Sequence, residues 1–317
     1  MARTMQRSRL FPCVPALAVA FATIGSLTPA TALAQGMGEA AAAPAGIKTT
    51  LLDAGEGPRS TLRVDLEPGA TQKFEMRMLT KTAMSMRGQQ MPAMDLPTVV
   101  MPMVVKVGDA RDDDSWNVAM SFSEPRFEGG NPQMAAMMRQ ALAGFDTLEA
   151  TGVVSDQAQW ESITLKAADK LSPELREQAE MMESSVQQMG AILPNEAVGI
   201  GARWRVTQQM NTSGMNMTNS VVYTLESREG DTIKLAAELE QTVPAQVVAP
   251  PNAGGMQFQT VGTGKGQGTF VLDLSSLMAT EATLTSDTDM SMETEGPNGA
   301  MKMEMDIATT MSIKTVE

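Results

Sequence analysis

Methionine is the residue type whose spacing suggests chemistry in this chain. Twenty-nine occur in 317 residues, and M-x-M pairs stand at 76/78, 84/86, 101/103, 215/217, 290/292 and 301/303/305. Thioether sulfur is a soft ligand, so such pairs are candidates for copper(I) or silver(I). The side chain is also flexible and polarisable, and proteins over-use it where a surface adapts to varied apolar partners. The third reading is ordinary core, because alternation on a strand places every second residue on one buried face. Met84, Met86, Met215, Met217, Met290, Met292, Met301, Met303 and Met305 are the candidate ligand-lining residues.

What is missing narrows the field. The chain has no histidine, and its single cysteine, Cys13, lies in the N-terminal apolar stretch. Hydrolytic triads, cysteine nucleophiles, zinc sites with nitrogen or sulfur ligands, histidine-ligated haem and disulfide scaffolding all need those residues. No acid/base pair with convergent spacing stands out, so we expect a binding protein without catalytic residues or cofactor. The net charge is −13, and −16 once Arg3, Arg7 and Arg9 are removed. No cluster of Lys and Arg follows, which argues against nucleic acid and anionic membranes as partners. An apolar small molecule or an envelope protein is expected instead, with a purely structural envelope role as a further alternative.

Other motifs carry less. "GTGKGQG" places Gly262, Gly264, Gly266 and Gly268 on one strand face without the spacing or following helix of a phosphate loop. It reads as a bent or closely approached strand, or as bare backbone under a ligand. Asp112, Asp113 and Asp114 read as a solvated turn rather than a calcium loop. Trp116 and Trp204 read as core anchors.

The elements that must position these residues begin after a leader. Arg3, Arg7 and Arg9, an apolar stretch broken by Pro12 and Pro15, and Ala32 and Ala34 before Gln35 form a secretory signal peptide, residues 1–34. The expected product is an exported, soluble chain, periplasmic or extracellular, with no stable membrane span after cleavage. Residues 35–47 read as a flexible leader.

Period-two patterning then dominates. Phe74 to Met86, Val99 to Val107 and Trp116 to Phe122 alternate apolar with polar, as half-buried antiparallel strands do. Pro102 suggests an edge or a bulge. Asn131 and Pro132 open a helix with Met134, Met137, Met138, Ala141, Leu142 and Phe145 at helical spacing; Ser172 and Pro173 open a second, stopped by Gly190 and Pro194. Strands resume to the end. The expected fold is mainly β (α+β): a curled antiparallel sheet or half-barrel of about ten strands, too many for a flat open sheet, with two covering helices. The units are 48–192, with the helices, and 193–317, sharing one core.

The last two strands fix their own register. A turn at Pro297, Asn298 and Gly299 pairs residues whose numbers sum to 595. Met292 then faces Met303, Met290 faces Met305, Thr288 faces Ile307, and Leu284 faces Met311. Glu293 faces Lys302 and Glu281 faces Lys314 on the other side, and only Asp289 opposite Asp306 is unfavourable.

Two phrases carry a family resemblance. "ILPNEAVGIGARWRV", with Leu193, Pro194, Val198, Gly201 and Trp204, and "GTGKGQGTFVLDLSSLMATEATLTSDTDMSM", with Phe270 and Asp273, resemble an uncharacterised family of exported bacterial β-rich proteins. The resemblance implies structural punctuation and no catalytic residue. In architecture alone, the expected fold is similar to the lipoprotein-carrier proteins of the bacterial envelope. A fainter echo joins "PGATQKFEMRMLTKTAMSM" to "GIGARWRVTQQMNTSGMNM", as two related β units would.

Overall fold

The structure is a computed structural model, and it describes residues 47–166, 193–212, 214–249, 257–296 and 299–316. The segments expected to be a signal peptide, most of the expected leader and the expected second helix, 172–190, lie outside the described residues.

The first half holds β1 (Ile47–Asp53), β2 (Glu56–Ser60), β3 (Thr71–Met86), β4 (Gln89–Gln90), β5 (Thr98–Ala110), β6 (Ser115–Phe122), β7 (Arg126–Glu128), α1 (Pro132–Ala141), β8 (Glu149–Ser155) and β9 (Trp160–Lys166). The second holds β10 (Val198–Ile200), β11 (Arg203–Thr212), β12 (Met215–Glu229), β13 (Thr232–Val248), β14 (Phe258–Asp273), β15 (Glu281–Gly296) and β16 (Gly299–Thr315). The described residues thus contain sixteen strands rather than about ten, and one α-helix rather than two. The additional strands are mostly short: β2, β4, β7 and β10 span two to five residues, too few to display a period.

Fourteen strands form one antiparallel sheet in the order β1-β11-β12-β13-β14-β15-β16-β3-β5-β6-β8-β9, with β4 beside β3 and β7 beside β5; β2 and β10 pair separately. Among the described residues the sheet does not close, and β1 and β9 are its edges. It is nevertheless curled. Val64 donates its N–H to Asp156 O in the β8–β9 turn, and Asp65 donates to Leu274 O just past β14, both at 2.7 Å. Two regions far apart along the sheet therefore meet on one extended strap, residues 62–66. Leu62, Val64 and Leu66 are at most 3% exposed, each contributing about 1.5–3 kcal/mol by burial. Arg63 points the other way, to Asp156 at 2.9 Å and to the carbonyls of Pro194 and Asn195 at 3.0 Å.

The main core lies at the strap end and draws on both halves of the chain. Trp204 is fully buried and stacks on Tyr223 with centroids 5.8 Å apart; Tyr223 meets Phe270 edge-on at the same separation. Trp116 is a core residue as expected, and so is Trp160. Asn131 Oδ1 accepts the Gln133 N–H at 2.8 Å and caps α1. The expected helical stripe holds only in part. Met138 and Leu142 are buried, Met137 is 46% exposed, and Phe145 belongs to a separate 3₁₀ turn that opens at Gly144, with φ 90°, after α1 has ended at Ala141.

Pro102 lies in an interior strand, not at an edge or bulge. Along β5 the neighbour changes there: β6 pairs from Met103 onward and β7 pairs up to Val100. A residue's N–H and C=O point to the same edge of its strand, and Ser123 N–H reaches Pro102 O at 2.9 Å. The missing proline N–H thus falls at the junction between two partners, where it costs no ladder bond. The two echoing phrases fold differently. One runs straight along β3, whereas the other turns back between β11 and β12.

The predicted hairpin register is the observed one. Gly296 pairs with Gly299, Met292 with Met303, Met290 with Met305, Thr288 with Ile307 and Leu284 with Met311; Asp289 does face Asp306, on the solvent side.

Candidate functional site at the methionine end of the sheet

Alternation along seven long or medium strands gives the sheet an inner and an outer face. Beyond the main core, the inner face continues as successive rows. The first row is mostly polar: Thr82, Ile307, Thr288, Gly264, Gln241, Asn219 and Gln208 are register partners across β3, β16, β15, β14, β13, β12 and β11, and Ile307 alone among them also belongs to the apolar cluster that follows. Thr288 Oγ1 donates to Gln241 Oε1 at 3.1 Å, Gln241 Nε2 donates to Asn219 Oδ1 at 3.0 Å, and Asn219 Nδ2 donates to Met210 Sδ at 3.2 Å.

Beyond this row lies a second apolar cluster, separate from the main core: Met217, Val243, Met290, Met303, Met305 and Ile307 are buried, with Met84, Met215 and Met292 packed against them. Seven of the nine candidate methionines are brought together. Met86 and Met301 lie beside the cluster, in register with Met303 and Thr294. Three adjacent strands carry two rows of directly paired methionines, Met84–Met305–Met290 and Met86–Met303–Met292. The cluster is buried, with Met305 1% exposed. Open grooves include one away from the cluster and one on the cluster's own strands, where Thr82, Thr288 and Ile307 help line it. One, of about 440 Å³, includes Lys106, Gly108, Asn117 and Gly152; the other, of about 490 Å³, includes Lys81, Asp95, Asp289 and Asp306.

The glycine ladder makes this arrangement possible. Gly262, Gly264, Gly266 and Gly268 face inward on β14, and a Cβ on any of them would meet β15, its backbone carbonyls or Thr288. β14 and β15 approach too closely there for side chains, which is how a sheet acquires a sharp bend. Across bare Gly262, side chains from β13 and β15 join one cluster.

Charge is confined to the outer face at this end. Lys302 Nζ binds Glu304 Oε1 at 2.7 Å. That contact holds the Glu304 carboxyl below the usual carboxylate range and the Lys302 ammonium above its ordinary value. Asp287, Asp289 and Asp306 are exposed. Among the described residues, no group of three or more carboxylate, histidine or cysteine side chains is placed to hold a metal ion. Asp113 accepts from Ser115 Oγ in the β5–β6 turn, consistent with a solvated turn.

Val243, Thr260, Thr294, Gln241 and Asn219 also belong to this end of the molecule, and no sequence reading placed them there. Thr82 and Ile307 share the alternation of their strands. Nothing in residue type marks Thr260 or Thr294.

The fold is that of an open, curled antiparallel β protein with a second apolar cluster beyond its core. Residues 164–279 match the model of a family of unknown function, DUF6263. That segment takes in the whole first resembling phrase and the beginning of the second, including the glycine ladder. No curated protein matches the chain, and the comparisons lend no support to the lipoprotein-carrier likeness. No helix among the described residues is long and apolar enough to cross a membrane.

Proposed function

We propose that this is a non-catalytic binding protein, exported to the periplasm or the exterior, that takes an apolar, lipid-like ligand at the methionine end of its sheet. One observation carries the reading: among the described residues the second cluster has neither leucine nor aromatic residue, whereas the main core sets its own buried methionines, Met76, Met78, Met101, Met103, Met120 and Met138, among Trp, Leu, Val and Phe. Leucine and phenylalanine specify one packing; methionine repacks at small cost and accommodates guests of varied shape. An uncharged inner face bounded by polar residues suits such a guest.

The test is equilibrium binding of the uncharged fluorescent probe N-phenylnaphthylamine to the full exported chain. Binding with micromolar affinity, weakened by Met303→Gln, is the expected result. In a merely structural cluster the glutamine amide would cost about 1–3 kcal/mol of stability, and no probe would bind. That outcome ends the proposal. Export itself is tested by N-terminal sequencing, which should begin at or near Gln35; an intact Met1 terminus in the membrane fraction would refute cleavage.

A second reading, copper(I) or silver(I) binding, is favoured by the paired rows Met84–Met305–Met290 and Met86–Met303–Met292, which offer three thioethers side by side. Anaerobic copper(I) titration against a chelator decides it. Stoichiometric binding abolished by joint replacement of Met290, Met292, Met303 and Met305 with leucine would establish the metal role. Absence of binding, with the leucine variant stable to within a few kcal/mol, would dismiss it.

A further inference from the structure

Three buried threonine hydroxyls have no hydrogen-bond partner among the described residues: Thr82, Thr260 and Thr294, which are 4%, 2% and 4% exposed. All three border the methionine cluster. Thr82 is in register with Ile307, Thr260 with Met292 and Thr294 with Met301. An unmet buried hydroxyl is costly, and valine would give the same shape without that cost. Other inward hydroxyls here do find partners, as Thr288 does with Gln241.

Thr260 and Thr294 stand together. Thr294 lies two residues past Met292, the partner of Thr260, so the two are diagonal neighbours on β14 and β15, about 7–8 Å apart at Cα. Both unpartnered hydroxyls therefore belong to one part of the inner face. They also sit at the end of the sheet where β3 turns to β4, β11 to β12 and β15 to β16. Thr82 sits on the opposite side of the cluster, in the polar row.

We infer that Thr260 and Thr294 hold the polar head of the bound molecule, and that this head is an uncharged hydroxyl or carbonyl. The inference rests on the apolar-ligand reading above and names its ligand class: a long-chain alcohol or neutral ester rather than a fatty acid or phospholipid. A threonine hydroxyl both donates and accepts, which matches an alcohol or carbonyl oxygen. Among the described residues, the inward positions of β3, β11, β12, β13, β14, β15 and β16 at this end carry no charged side chain. A carboxylate or phosphate buried there would have no counter-charge, a heavy penalty.

The test displaces N-phenylnaphthylamine with decanol, decanoate and 1-chlorodecane at neutral pH. Decanol should act at a concentration at least tenfold lower than either of the others. The double variant T260V/T294V should bring decanol to the level of 1-chlorodecane while leaving 1-chlorodecane unchanged. The ligand-free variant should melt at or above the temperature of the parent, since the hydroxyls it removes are unpaired. Equal displacement by decanol and 1-chlorodecane in the parent, preference for decanoate, or a lower melting temperature of the variant would each overturn the inference while sparing apolar binding. Failure of the probe itself to bind would overturn both.

Discussion

Thr288 and Gln241 are hydrogen-bonded at 3.1 Å although their strands, β15 and β13, are not neighbours; the bond passes over Gly264 on the strand between them. A Cβ at that position would lie 2.6 Å from Thr288 Oγ1 and 3.2 Å from Gln241 Oε1. The glycine is thus the condition for a side-chain bond that spans three strands.

Gly264→Ala should therefore cost about 1–3 kcal/mol, the usual range for forcing a group into filled space. Thr263→Ala, one residue away on the exposed face, should change stability by no more than about 0.5 kcal/mol. Urea denaturation of both, together with a G264A/T288A double variant, measures the coupling. Additive losses would show that residue 264 does not act through Thr288.

Trp204→Ala should cost about 3–5 kcal/mol, because the indole is fully buried and stacked on Tyr223. Burial alone pushes the Tyr223 phenol well above its ordinary value. Spectrophotometric titration of the folded protein should accordingly show that phenol silent until the chain unfolds. Ionisation near the ordinary tyrosine value would contradict the buried pair.

Leu66→Ala should destabilise by about 2–5 kcal/mol, and the strap should behave as part of the core rather than as a loop. The measurement is hydrogen exchange. The amides of Val64 and Asp65, which donate to Asp156 and Leu274, should exchange as slowly as those of β13. Rapid exchange at both would mean that the two regions of the sheet are not tied together there.

On the outer face, Glu75 accepts from Arg126 and lies near Arg77 and Lys314, while Arg77 also binds Glu128. The Arg77 guanidinium lowers the Glu128 carboxyl below its ordinary value of 4.5. A lowered carboxyl stabilises the fold at pH above that ordinary value, and the contribution is lost as pH falls through the lower folded value. The melting-temperature difference between the parent and Glu128→Gln should accordingly shrink below about pH 4.5 and also in molar salt, since the pair is exposed and screened. A difference independent of pH would remove Glu128 from the network.

The sequence made faces legible but not neighbours. Alternation from Phe74 to Met86 and from Met301 to Ile307 says which side chains turn inward, and a Pro-Asn-Gly turn sets one register without ambiguity. It does not say that β16 lies against β3, or β1 against β11. Those pairings are what bring Thr82, Thr288, Gln241 and Asn219 into one row. Read along the chain, the same residues are merely polar interruptions of different strands. The glycine ladder was visible as a bend or bare backbone; that side chains bond across it needed β13 and β15 in place. Thr260 and Thr294 left no signal, because threonine is a common strand residue whether or not its hydroxyl is used.

The position of β16 has a consequence in time. Residues 299–315 are late in the chain yet central in the sheet, wedged between β15 and β3. Until they emerge from the ribosome, the meander β3-β5-β6-β8-β9 lacks its partner on the β3 side, and β11 to β15 have no route to it through the ladder. Pairings so distant in sequence form slowly, since the long intervening chain must first be ordered. Joining of the two halves of the sheet is thereby deferred until β16 has been made.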